Sequence, residues 1–152
     1  MTPKPTGVEV TVSNRQRRRK INTHLLARIA ERTLELVGDN RATLSIVLVD
    51  DTAIAKFNAQ YHNTPGPTDI LSFDYGEGQG ELIVSVERAI VQAERFHSTP
   101  TRELVLYVVH GILHLHGHDD RKPLDRRRMR AAERRLLANL AENYCFRGLM
   151  GR

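Results

Sequence analysis

The chain lacks tryptophan and carries a single cysteine, Cys145, among its 152 residues. An internal disulfide is therefore impossible, and nothing points to an oxidising compartment. Aromatic residues make up only 5% of the chain, so a core drawn from its 40% hydrophobic residues is mostly aliphatic. Long apolar runs are also missing. The longest nearly apolar stretch, Leu104 to Leu115, is well short of the roughly 20 residues that cross a bilayer, and it holds two histidines. The first ten residues, MTPKPTGVEV, have no apolar h-region and no cleavage signal. These absences predict a soluble, cytoplasmic protein with no membrane partner. No repeat, low-complexity tract or long linker breaks the sequence, and its length fits one domain over residues 1–152.

What is present begins with positive charge. The net charge is +5 and the pI about 9.8, which suits a polyanionic partner such as nucleic acid. The basic residues gather at Arg15, Arg17, Arg18, Arg19 and Lys20, and again at arginines 126, 127, 128, 130, 134 and 135. Arg17, Arg18, Arg127 and Arg130 are the candidate nucleic-acid contacts. A solvated helix face accounts for either cluster at least as well.

The apolar pattern then sets out the elements. Val8 to Val12 alternates as an edge strand does, and a helical period runs from Ile21 to Val37 with Gly38 as its stop. Thr43 to Val49 reads as a buried strand. Asp50 or Asp51 caps a helix with Ile54, Phe57 and Tyr61 on one face, ended by the loop Asn63 to Pro67. Asp69 to Phe73 and Glu81 to Val86 read as strands joined through a glycine-rich, hairpin-like connection. A helix over Glu87 to Phe96 follows. Thr99 caps the next one, with Pro100 at its first position and Gly117 just beyond its end. Being apolar nearly all round, that helix is the expected central buried helix. An arginine-rich helix from about Leu124 closes the chain. The fold class predicted is a layered α+β domain: a small mixed sheet of about four strands packed with helices, and a metal site at the end of the central helix.

That site rests on the segment HGILHLHGHDD, His110 to Asp120, which holds four of the seven histidines. His110 and His114 lie four apart on a helix, which stacks them on one face roughly 5–6 Å apart at Cβ. Both can then reach one metal ion at about 2.0–2.1 Å. His116 points to another face. Gly117 lets the chain reverse and return a third ligand, for which His118, Asp119 and Asp120 are the candidates. Two histidines and a carboxylate leave one position open, as catalytic zinc sites do. The plainer reading, two hydrogen-bonded core histidines, must explain why an apolar helix buries both. The protease signature HExxH is not met, because Gly111 stands where its glutamate would be.

His110, Gly111, Leu113, His114, Leu115, Gly117 and Asp119 together resemble the signature of the YbeY family of bacterial metal-dependent endoribonucleases. Asn58, Tyr61 and His62 followed by Thr68–Phe73 resemble a second family landmark, and Gly80, Glu81, Leu82 and Val84 a third. The resemblance implies a metal-dependent endoribonuclease that hydrolyses phosphodiesters in single-stranded regions of ribosomal RNA. It further implies action in rRNA maturation, at the 3′ end of 16S rRNA, and in ribosome quality control, with ribosomal RNA and the ribosome or its small-subunit proteins as partners. The cofactor implied is one divalent ion, zinc by the donor set, held by His110, His114 and Asp120.

Two positions depart from the family. Asp120 replaces the family's third metal histidine, with His118 as the other candidate ligand. His62 stands where the family has arginine, a residue suited to phosphate. His62 and Ser72 are nominated to steady charge developing on the phosphate. Two rival readings accompany this one: another zinc-dependent hydrolase, acting on a small molecule or peptide, and a non-catalytic ribosome-assembly factor with a structural metal.

Overall fold

The computed structural model describes residues 8–62 and 68–151, the side chain of His62 excepted. The element order is β1 (Glu9–Asn14), α1 (Thr23–Val37), β2 (Thr43–Val49), α2 (Asp51–His62), β3 (Ile70–Gly76), β4 (Gln79–Ser85), α3 (Val86–Arg95), α4 (Pro100–Leu115) and α5 (Pro123–Asn143). One turn of 3-10 helix, Phe146–Leu149, follows. The four strands form a mixed sheet in the order β1-β2-β4-β3. β2 is parallel to β1 and to β4, while β3 runs antiparallel to β4. This is the α+β architecture expected, with β1 and β3 at the edges.

The period-2 pattern of the strands divides the core. On one face Leu44, Ile46, Leu48, Leu82 and Val84 pack with buried residues of α1 and α4. On the other, Val47, Val49, Leu71 and Ile83 pack under Ile54 of α2. α4 is the central buried helix: Leu104, Val105, Val108, Val109 and Ile112 are wholly inaccessible. α5 lies against it through Met129, Ala132, Leu137 and Leu140.

Local chemistry explains where the elements begin and end. The helical period read from Ile21 starts two residues later, because Asn22 caps α1 by accepting from the Leu25 amide at 3.0 Å. Ile21 instead bridges to Met150. The glycine-rich connection is shorter than expected. β3 continues to Gly76 and β4 starts at Gln79, leaving a two-residue turn whose Glu77 and Gly78 both have positive φ. Val86 begins α3 rather than ending β4, since the Ser85 hydroxyl accepts from the Arg88 amide. The predicted loop Asn63 to Pro67 lies outside the described residues. Among the described residues no helix is long and apolar enough to cross a membrane.

Candidate metal centre

Three placements build the site. The first is α4 itself, capped by the Thr99 hydroxyl, which accepts from the Arg102 amide, with Pro100 in its first turn. The second is how closely α4 lies on the sheet. A Cβ added at Gly111 would stand 2.5 Å from Ile70 Cδ1 and 2.7 Å from Leu82 Cδ2. Glycine at that position lets the helix press on β3 and β4, which brings His110 and His114 up to Ser72. The third is the chain reversal after α4. The His118 amide donates to Leu113 O at 2.9 Å and the Gly117 amide to His114 O at 3.1 Å. That pairing is a Schellman motif, with Gly117 at φ +104°. It turns the chain back so that Asp120 faces the two histidines.

The result is compact. The His110 and His114 rings meet edge to face with centroids 5.2 Å apart. Asp120 Oδ2 lies 3.7 Å from His110 Nε2 and 3.5 Å from His114 Nε2. One donor atom from each of the three lies within 4.8 Å of the other two. Two ligands at about 2.1 Å from a tetrahedral zinc ion are about 3.4 Å apart, and both Asp120 separations are within a few tenths of an ångström of that. The other ring nitrogen of His110, Nδ1, hydrogen-bonds Glu133 Oε2 at 2.5 Å.

The metal-ligand candidates form one wall of a cavity of about 410 Å³. Its other walls are Asn58 from α2, Thr68 and Asp69, and Ile70, Leu71 and Ser72 of β3. Burial alone would lower the pKa of His110, but the hydrogen bond and charge of Glu133, with Asp69 and Asp120, outweigh it and hold the pKa above its ordinary value.

The remaining candidates fall in different places. His118 is not with the ligands. It lines a separate groove of about 420 Å³ with His116, Leu36 and Arg135. Asp119 is likewise turned away and pairs with Arg121 at 3.1 Å. His116, on another face as expected, binds Asp39 at 2.8 Å. Of the residues that were open as third ligand, the fold brings only Asp120 to His110 and His114. Ser72 lines the cavity, facing α4. His62 is the last residue of α2, and its side chain lies outside the described residues.

The basic residues are exposed. Arg17 and Arg18 sit in a loop shaped by buried Gln16, whose side chain accepts from the amides of Arg18 and Arg19 and donates to Arg19 O. Arg127 and Arg130 are solvent-facing on α5. Arg126, from the same cluster, is used structurally: it donates to the carbonyls of Asp120 and Arg121, at 3.3 and 2.9 Å, and so holds the loop that carries the third candidate ligand. Glu133 was invisible to sequence reasoning. It is 23 residues from His110 on a helix whose local pattern reads only as amphipathic and basic.

Comparison with known proteins agrees with this geometry. The family model for endoribonuclease YbeY matches residues 11–141. The chain is 36% identical over 132 residues to the endoribonuclease YbeY of Symbiobacterium thermophilum, covering 76% of this chain and 85% of that one. It is 34% identical over 144 residues to that of Geobacter metallireducens, covering 88% and 96%. Its fold is similar to the solution structure of TM1509 from Thermotoga maritima, with a TM-score of 0.64, 24% identity, and 88% and 90% of the two chains covered. A match over most of the length, carried by the same elements that assemble His110, His114 and Asp120, identifies the chain as a member of the endoribonuclease YbeY family.

Proposed function

We propose that the protein is a metal-dependent endoribonuclease that cuts single-stranded ribosomal RNA, in maturation of the 16S rRNA 3′ end and in ribosome quality control. One observation carries the chemistry: three donor atoms from His110, His114 and Asp120 converge on one wall of an open cavity. Two imidazoles and one carboxylate suit zinc and leave a coordination position free. When bound there, the ion supplies Lewis acidity to a water molecule or to a phosphoryl oxygen.

The chain's own residues do the rest. His110 and His114 are fixed by the buried helix, and Asp120 by the turn at Gly117 and the Arg126 contacts. Ser72 offers a hydroxyl on the opposite wall, placed to hydrogen-bond a phosphate oxygen. His62, at the end of α2, stands where the family arginine would be, and we assign it the same task of meeting phosphate. The exposed arginines, Arg17 and Arg18 on one loop and Arg127 and Arg130 on α5, hold the RNA backbone. Ribosomal RNA, and with it the ribosome and its small-subunit proteins, are the partners this reading gives, in the cytoplasm.

The test is cleavage of a ribosomal RNA fragment by purified protein beside His114→Ala prepared in parallel, each with chelator and with added zinc. Cutting that disappears in the variant, and that zinc restores to chelated wild type, is the expected result. Equal cutting by both proteins means contamination. No cutting by either favours an assembly factor whose metal serves only the fold.

A further inference from the structure

The contact between Glu133 and His110 joins two helices at the edge of the ligand set. Glu133 Oε2 lies 2.5 Å from His110 Nδ1, and the glutamate side chain is only 14% exposed. Its position is set by packing rather than by chance. Met129 and Ala132, just before it on α5, are buried in the core cluster that also holds the buried residues of α4. His110 Nε2, on the far side of the ring, faces Asp120 Oδ2. The imidazole therefore stands between two carboxylates, one on each nitrogen, and only one of them comes from the loop that follows the histidines.

A neutral imidazole carries its proton on one nitrogen, and the other presents a lone pair. A carboxylate accepting from Nδ1–H keeps the proton there and aims the Nε2 lone pair into the cavity. It also places negative charge against the ring, which makes the ring a stronger donor to a cation. The same carboxylate restricts rotation of the ring about its Cβ–Cγ bond, so less entropy is lost when an ion is bound.

Building on the metal site proposed above, we infer that Glu133 is a positioning residue for that site: from α5 it fixes His110 as the Nδ1–H tautomer, with Nε2 directed at the ion. α5 thereby becomes part of the metal centre although it supplies no ligand. Glu133 itself lies behind His110, with the ring between it and the cavity, and so acts only through the histidine.

The measurement is zinc affinity by competition with a chromogenic chelator, on wild type, Glu133→Gln, Glu133→Ala and His114→Ala, each checked for folding by circular dichroism. Loss of such outer partners weakens metal binding by about 10–100-fold. Glu133→Ala is expected in that range. Glu133→Gln, whose amide oxygen can still accept from Nδ1–H, is expected to fall between Ala and wild type. Nitrogen-15 spectra of the metal-free protein, recorded at a pH high enough to leave His110 neutral, supply a second readout: the ring is the Nδ1–H tautomer in wild type and shifts toward Nε2–H in Glu133→Ala. A purely structural glutamate would change neither the tautomer nor the graded affinity. If Glu133→Ala does not fold, Glu133→Gln, of nearly the same shape, decides. Zinc binding within twofold of wild type in every folded Glu133 variant, with affinity lost in His114→Ala, overturns the role of Glu133 and leaves the metal site standing. Failure of wild type to bind zinc, or unchanged affinity in His114→Ala, overturns both.

Discussion

Gly111→Ala separates two opposing effects at the centre of the molecule. Alanine is favoured over glycine in a helix interior by about 1 kcal/mol. Taken alone, the substitution should therefore stabilise α4. The surroundings oppose it, since the added Cβ would sit 2.5 Å from Ile70 Cδ1 and 2.7 Å from Leu82 Cδ2. Carbon atoms pack best at about 3.5–4.0 Å, so the side chains of Ile70 and Leu82 must turn aside or helix and sheet must part, by about 1 Å. Leu82 is wholly buried and packed on all sides, which limits how far it can yield. Overpacking of this kind costs about 1–3 kcal/mol. The difference is a net loss of between about zero and about 2 kcal/mol, measured by urea unfolding with chelator present so that metal linkage does not mask it. The larger effect falls on the site. Moving α4 by about 1 Å shifts both histidines against Ser72, and a displacement of that size can lower turnover by about 100-fold. An Ala variant about 1 kcal/mol more stable than wild type, with undiminished RNA cleavage, would refute the close-packing argument.

Further expectations concern charge. The folded pKa of metal-free His110 is raised, so its contribution to stability is full below the ordinary histidine value of 6.5 and is lost as pH rises through the higher folded value. The stability difference between chelated wild type and His110→Ala should shrink from pH 6 to pH 8, and a constant difference would count against the Glu133 pairing. Zinc binding must expel that same proton, so affinity falls as the solution is acidified. Asp120→His removes a negative charge from the donor set and should move the rise of the cleavage rate with pH to lower pH. An unmoved profile would argue that Asp120 does not touch the ion. Replacing Arg127 and Arg130 together by alanine should flatten the salt dependence of RNA binding by a slope of about 1.4, two contacts at about 0.7 each for a single strand. An unchanged slope would return both residues to the role of a solvated face.

Much of the fold was legible because its signals are local. Thr43 to Val49 is bounded as the sequence indicated, since a run of apolar β-formers between polar segments has one plausible conformation. The apolar circumference of α4 marked it as central, and Thr99, Pro100 and Gly117 marked its ends. The errors lie where a neighbouring side chain decides, as where Ser85 claims Val86 for α3. At the site, the helical pair of histidines was readable from spacing alone. The third candidate ligand was not, because His118, Asp119 and Asp120 differ only in how the backbone leaves Gly117. The Schellman geometry directs the first two elsewhere. Glu133 depends on the docking of α5 against α4, and no short-range pattern encodes that.

The close seating of α4 on the sheet explains why this helix departs from the HExxH arrangement. In that signature the residue after the first histidine is the general base. Here that position faces the sheet, and Ile70 and Leu82 occupy the space a side chain there would need. Glutamate at 111 is thus excluded by packing before chemistry is considered. Among the described residues that line the cavity, Asp69 and Asp120 are the carboxylates. The close approach that rules out a base on the helix is also what brings the candidate ligands to the wall of that cavity. A helix seated tightly on the sheet and a position with no room for a base are therefore two consequences of one contact at Gly111.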